Sequence, residues 1–337
     1  MDVLSEVLRV IKLEGAIFFN AEFSAPWSVN SSPPDALKPF ISLTAGHVIR
    51  YHFVTEGHAY ARLVGGPPIE LGPGDIVVFP HSDPHILGNG QGARPAETFR
   101  IPEKNLSQGV QVTRLGGGGE TTKFVCGFMA CDPRLSSVVL SGLPKILKLS
   151  IADEPSGQWI QNSIRYSVNA SDAPDDGKGL VLTKISEVLF VETLRRYVSS
   201  LPPGQKGWLA GARDPVISEV LALLHKEPAD PWTIADLGKR VGLSRTRLAD
   251  RFRYFLGESP MAYLAQWRLK LGADILQSTE DSVAEVAAAV GYGSEAAFNR
   301  AFKRVFQCPP AQFRRKYKTA AARQLNCRQS YTRLGLL

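Results

Sequence analysis

The sequence predicts an α+β chain of two domains: an N-terminal β-barrel with a helical segment behind it, then an all-α C-terminal domain built as a double helix-turn-helix. Three observations carry this. Short alternating segments with Gly/Pro breaks fill the first third. One pattern in the last third is written twice, as LGKRVGLSRTRLADRFRYFL (237–256) and VAAAVGYGSEAAFNRAFKRVF (286–306). Charge is split unevenly between the two parts: residues 230–337 hold 18 basic against 9 acidic side chains, and residues 1–229 hold 21 against 23. That asymmetry fits a nucleic-acid module joined to a neutral one.

The 337 residues suit two domains of ordinary size, and 44% hydrophobic with 21% charged residues suits a chain that buries full cores. No apolar run reaches the roughly 18 residues of a membrane span. The opening MDVLSEVLRVIKLEG lacks the layout of a signal peptide. A cytoplasmic protein with no membrane partner is expected. Four scattered cysteines, Cys126, Cys131, Cys308 and Cys327, argue against a disulfide scaffold and read as reduced thiols.

In chain order, the first domain spans 1–200. Its barrel occupies about 13–129, where VIRYHFV, YARLV, DIVVF and TKFVCGF have the rhythm of an antiparallel barrel or sandwich. Residues 88–109 read as a long surface loop. Residues 133–200 read as helices, strongest where Leu182, Ile185, Leu189 and Leu194 fall at helical spacing. That stripe either packs on the barrel or docks a second copy, with Leu189→Glu expected in the second case to yield folded monomers. SSLPPGQKG opens a linker placed at 201–213, helices fill 214–318, and a basic tail runs from 319 to 337.

Each copy of the repeat opens with a capping box, Thr233 with Asp236 and Ser282 with Glu285. Each first helix ends at a glycine fit for the left-handed conformation, Gly242 or Gly291. Each second helix starts from a serine cap, Ser244 or Ser294. It then buries a stripe: Leu248, Phe252 and Phe255 in one copy, Phe298, Phe302 and Phe306 or Val305 in the other. Pro260 or Pro310 opens the next helix. Helix, tight glycine turn and helix is the helix-turn-helix layout. Successive major grooves on one face of B-DNA lie about 34–36 Å apart, so two linked copies let one chain span both. The segment between them, with Leu264, Trp267, Leu271 and Ile275 on one face, reads as a spacer helix.

The turn from Ala235 to Ser244, the Leu248/Phe252 core and VAAAVGYGSEAAFNRAFKRVFQCPPAQFR carry a resemblance. On them, residues 214–318 resemble the DNA-binding domain of AraC/XylS-family transcription regulators, with a departure at Gln307 and Cys308. With the apolar stripes inward, the outward faces are Thr246, Ala249, Asp250 and Arg253 in the first copy, and Ala296, Asn299, Arg300 and Lys303 in the second. Base-edge contacts are expected from Thr246, Arg247, Asp250, Glu295, Ala296, Asn299 and Arg300. Asn pairs adenine and Arg pairs guanine, so Asn299 and Arg300 form the sharper reader. Phosphate contacts are expected from Arg245, Arg251, Lys303 and Arg304, with Arg247 at the boundary of the two classes.

Five of the six histidines lie between 47 and 85. The stretch GDIVVFPHSDPHILGN resembles the second cupin motif at Gly74, Pro80, His85 and Asn89, with Ser82 where the motif has a glycine. The first motif is weaker, with His52 in place, Val54 at the second histidine position and His58 where a glutamate ligand is usual. The resemblance implies a cupin sensor barrel, and TKFVCGFMACDPRLSSVVLSGLPKIL resembles the sensor subfamily found in AraC-type regulators. His52, His58 and His85 are the candidate sensor pocket. As three imidazoles they are also candidate ligands for a divalent metal. Cys126 and Cys131 are candidate redox residues, although strand rise would hold them apart unless the chain turns at Asp132–Pro133.

These readings make the chain a DNA-binding transcription regulator and activator rather than an enzyme. Its expected partners are double-stranded DNA, RNA polymerase, a small-molecule effector and a second copy of itself. The alternative is a cupin metalloenzyme, an oxygenase or isomerase, fused to a DNA-binding module.

Overall fold

The alternation read between residues 13 and 129 becomes two facing sheets in the computed structural model. It describes residues 8, 13–31, 47–90, 112–131, 139–151, 155–169, 178–202 and 204–319. One sheet comprises β1 (Glu14–Ser24), β3 (His47–Glu56), β6 (Asp75–Phe79), β8 (Val112–Gly116), β9 (Thr121–Cys131) and β10 (Leu147–Ser150), in the order β10-β6-β3-β9-β1-β8. The other comprises β2 (Trp27–Asn30), β4 (Ala59–Leu63), β5 (Ile69–Leu71) and β7 (His85–Asn89), in the order β2-β7-β4-β5. Among the described residues the two sheets form an open barrel. The expected loop at 88–109 lies outside the described residues from 91 onward, as does the tail from 320.

Side chains from both sheets line the space between them. Phe23, Phe79, Phe124 and Phe128 come from the larger sheet, and Trp27, Val29, Leu71 and Leu87 from the smaller. Trp27 stacks on Phe124 with centroids 5.3 Å apart, and Phe23 meets both edge-on.

The opposite face of β3 carries Ile49, Tyr51 and Phe53, and this face is buried too. Two helices follow the strands, α1 (Pro155–Asn169) and α2 (Lys178–Ser200). The Tyr51 hydroxyl reaches Ser186 Oγ on α2 at 2.6 Å, and Arg196 Nη1 on α2 donates to the Ser150 carbonyl of β10 at 2.9 Å. Tyr51 lies directly opposite Gly127 on β9, where an added Cβ would fall 2.1 Å from the Tyr51 ring. Only glycine lets the tyrosine lie there.

Two expectations are corrected here. The stretch 133–200 is not all helix, because β10 pairs antiparallel with β6. The apolar stripe of α2 is not a free docking face: within a single chain Ile185 is 5% exposed and Leu189 and Leu194 are 0% exposed. The side chain of Leu182 lies outside the described residues. Leu189→Glu is therefore expected to unfold the N-terminal unit, by upwards of about 3 kcal/mol, because it buries an unpaired charge. A variant with the wild-type urea midpoint would contradict this packing.

The described residues 139–142 and 198–319 belong to a second compact unit. It contains α3 (Trp208–Arg213), α4 (Pro215–Lys226), α5 (Ile234–Arg240), α6 (Arg245–Leu256), α7 (Pro260–Ser278), α8 (Val283–Ala289) and α9 (Glu295–Phe306), and residues 310–319 form a further helix. Part of the expected linker is thus α3. It is anchored by buried Trp208, whose Nε1 donates to Tyr263 Oη at 2.9 Å.

α7 carries more buried surface than a spacer needs. Its first half packs against the first copy, Tyr263 meeting Phe252 edge-on at 5.8 Å. Its second half puts Leu269, Ala273 and Leu276 into one cluster with Phe298, Phe302, Phe306 and Phe313. The expected stripe is only half of this, since Leu271 and Ile275 are partly buried. Val305 is 45% exposed, so Phe306 completes the stripe of α9. Among the described residues no helix is long and apolar enough to cross a membrane.

Candidate nucleic-acid interface and sensor pocket

The caps that define the repeat are formed. Both capping boxes close in both directions, at Thr233/Asp236 and Ser282/Glu285. Gly242 and Gly291 take φ of 68° and 82°, the left-handed region that glycine enters without cost. Ser244 Oγ then accepts from Arg247 N at 3.3 Å, and Ser294 Oγ from Ala297 N at 3.2 Å. These turns set where α6 and α9 begin, and so which side chains stand at their N-terminal ends.

With Leu248 and Phe252 buried, Arg245, Thr246, Arg247 and Asp250 are exposed on α6. On α9, with Phe298 and Phe302 buried, Glu295, Ala296, Arg300, Lys303 and Arg304 are exposed. Asn299 is half-buried, and its Nδ2 lies 3.3 Å from Glu295 Oε1. Asp250 faces Arg253 at 3.7 Å, so the first copy partly neutralises its own face.

Arg251, expected at phosphates, is committed elsewhere. Its Nε and Nη2 donate to Asp214 Oδ1 and Oδ2 at 3.1 and 2.6 Å. Asp214 in turn caps α4 through Val216 N and Ile217 N. The guanidinium ties α6 to α4, and its charge is matched within the unit.

In the N-terminal unit, His52 and Cys126 are cross-strand partners on the inward face, and His85 enters from the other sheet. His52 Nδ1 lies 2.7 Å from Cys126 Sγ, and His52 Nε2 lies 2.8 Å from His85 Nε2. His85 Nδ1 lies 2.8 Å from the Asp83 carbonyl. A carbonyl only accepts, so His85 Nδ1 carries its proton and neutral His85 accepts at Nε2. His52 must then donate from Nε2, which leaves its Nδ1 to accept from the Cys126 thiol. The hydrogen bonds run in one direction, from thiol to backbone carbonyl.

Burial holds this chain neutral. Desolvation, helped by His85 and by the Arg50 charge, pushes His52 well below its usual range. Desolvation takes His85 to about 3 against the opposing pull of the Asp83 carbonyl, with Arg50 again lowering it. Burial pushes the Cys126 thiol well up. A histidine whose folded pKa is depressed binds its proton only in the unfolded chain, so stability is lost as pH falls below about 6.5. At pH 5 the loss is expected to be about 2 kcal/mol for His85 alone. Urea midpoints of the N-terminal transition measured between neutral pH and pH 5 check this, and His85→Gln should flatten the dependence.

The expected three-histidine site is not assembled. The His58 side chain is 67% exposed and meets Glu120 Oε1 at 3.0 Å, away from the inward pair. Among the described residues no group of three His, Cys, Asp or Glu could hold a metal ion. Cys126 and Cys131 are not joined to each other either. They lie five residues apart on β9, so strand rise separates them by about 17 Å on opposite faces. Ser82 adopts φ 59°, which explains why the cupin motif has glycine there.

One buried residue escaped the sequence reading. Arg50, two positions before His52 on the same face of β3, is only 4% exposed. Its matching strand parity was the signal available.

Residues 2–199 match the cupin family, and residues 237–316 match the helix-turn-helix domain family. A Streptomyces lividans protein named as an AraC-like transcription regulator is 29% identical, over 94% of this chain and 98% of its own. The HTH-type transcriptional regulator MtrA of Neisseria gonorrhoeae is 29% identical, over 94% and 99%. Among solved structures, the DNA-binding domain of AdpA in complex with a target DNA is 29% identical, with a TM-score of 0.30 over 32% of this chain and 95% of that one.

Proposed function

The chain belongs to the cupin family and joins that domain to an AraC-type helix-turn-helix domain, and on that premise we propose that it is a sequence-specific transcription regulator that activates its target promoter in response to a small molecule. The observation that carries this is the pair of capped helices, α6 and α9, each turning an unburied polar face outward from its own core. Full-length relatives named as transcription regulators support it.

In this reading Asn299 and Arg300 touch base edges, with Thr246, Arg247, Asp250, Glu295 and Ala296 beside them. Arg245, Lys303 and Arg304 approach phosphates. The effector enters between the sheets near His52 and His85, RNA polymerase is the downstream partner, and the protein works in the cytoplasm beside its DNA. A second copy docks on the outward side of α1 and α2, where Trp159, Tyr166, Val181 and Val188 are 58%, 78%, 51% and 43% exposed. Metal-dependent catalysis is the poorer reading, because the donor set it needs does not stand together among the described residues.

Footprinting of the full chain on genomic fragments tests the proposal, and protection of two successive major grooves per chain is expected. Arg245→Ala should weaken binding to every sequence alike and reduce the slope of log K against log salt by about 0.9. Protection that ignores sequence altogether would sink the sequence-specific reading.

A further inference from the structure

We propose that the N-terminal unit binds a small monocarboxylate with an apolar body between its sheets, and that Arg50 reads the carboxylate. The proposal rests on reading this unit as the sensor and names what it senses.

Arg50 sits on β3 directly opposite Phe79 of β6 and Phe128 of β9, both members of the inter-sheet core. At 4% exposure its guanidinium is inside the protein. Its Nε and Nη2 are buried, and among the described residues nothing accepts a hydrogen bond from either. Burial lowers its pKa only to about 10, so the group stays a cation at neutral pH.

The identity of the two unpartnered atoms is informative. Nε–H and Nη2–H lie parallel along one edge of the guanidinium, at the spacing of two carboxylate oxygens. This chain uses that edge for carboxylates twice elsewhere. Arg195 grips Glu192 with Nε at 2.9 Å and Nη2 at 2.8 Å, and Arg251 grips Asp214 with the same two atoms. In Arg50 the same fork is turned into an apolar interior.

The neighbouring polar groups do not supply the acceptor. His52 Nδ1 and His85 Nε2 already accept, from Cys126 and from His52, and the remaining ring nitrogens are donors. One buried cation walled by Phe79 and Phe128 favours a single negative charge on an apolar body. A multiply charged phosphate would bring charge that nothing nearby balances.

The test uses the full-length protein at neutral pH. Sodium acetate, butyrate, hexanoate and octanoate are titrated calorimetrically at matched ionic strength, with sodium chloride and neutral hexanamide as controls. One of the longer carboxylates should bind, one molecule per chain, and raise the unfolding temperature of the N-terminal unit. Hexanamide should bind roughly tenfold to a hundredfold more weakly than hexanoate. Arg50→Gln should lose a similar factor, and Arg50→Lys, which keeps the charge without the fork, should fall between.

Equal binding of hexanoate and hexanamide, equal binding by wild type and Arg50→Gln, or no binding of any carboxylate by wild type would each overturn the proposal. The hexanamide comparison needs no variant, so it holds even if Arg50→Gln fails to fold. DNA binding is measured separately on the same preparations. Its absence in wild type would remove the regulator reading and leave the carboxylate result standing.

Discussion

Phe302→Ala should destabilise the C-terminal unit by about 3–5 kcal/mol. Phe302 is fully buried and lies among three other rings: its centroid is 5.3 Å from Phe298, 4.3 Å from Phe306 and 5.2 Å from Phe313. A typical domain has about 5–15 kcal/mol in total, so a loss of this size leaves a large share of molecules unfolded. Val305→Ala, three residues on and 45% exposed, should change stability by no more than about 0.5 kcal/mol. Urea unfolding followed through the tryptophans of the C-terminal unit measures both. Equal costs at the two positions would mean that the buried face of α9 has been assigned wrongly.

Asn299→Ala and Arg300→Ala should each cost about 1–3 kcal/mol of binding at the preferred DNA sequence and little at unrelated ones. Their place on α9 explains the selectivity. Arg300 is exposed six residues after the Ser294 cap, and Asn299 is steadied by Glu295 at 3.3 Å. Affinities measured across a set of operator variants decide the matter. If either substitution weakens all sequences by one factor, α9 is a phosphate clamp and sequence is read elsewhere. Glu295→Ala frees the Asn299 amide and should blur its base preference more than it lowers affinity.

The C-terminal unit was legible because its signals are local. A capping box spans four residues, a glycine turn one, and a buried helical stripe three or four turns, so Thr233, Gly242, Ser244 and their counterparts could be read without knowing what they pack against. The N-terminal unit was legible as strands but not as a site. β3 is buried on both faces, so alternation could not separate core from pocket. Whether His58 joins His52 and His85 depends on how β4 and β7 pair across the smaller sheet, which no spacing along the chain encodes. The α2 stripe failed for the same reason. Ile185, Leu189 and Leu194 announce a buried face, but only the tertiary structure says that the same chain buries it. Arg251 looked like a free cation because its partner, Asp214, lies 37 residues away.

The position of α7 bears on how such a protein can change over generations. Because one helix closes both cores, neither copy can be deleted without exposing the other's apolar side. A head that stops reading bases must still be kept as a fold. Its outward face is then free to drift, while Leu248, Phe252 and the caps are not. The first copy offers fewer base-pairing groups at these positions: Ala249 and an Asp250 that faces Arg253 stand where the second has Asn299 and Arg300. New operator preferences should therefore arise more readily by substitution on α9 than on α6.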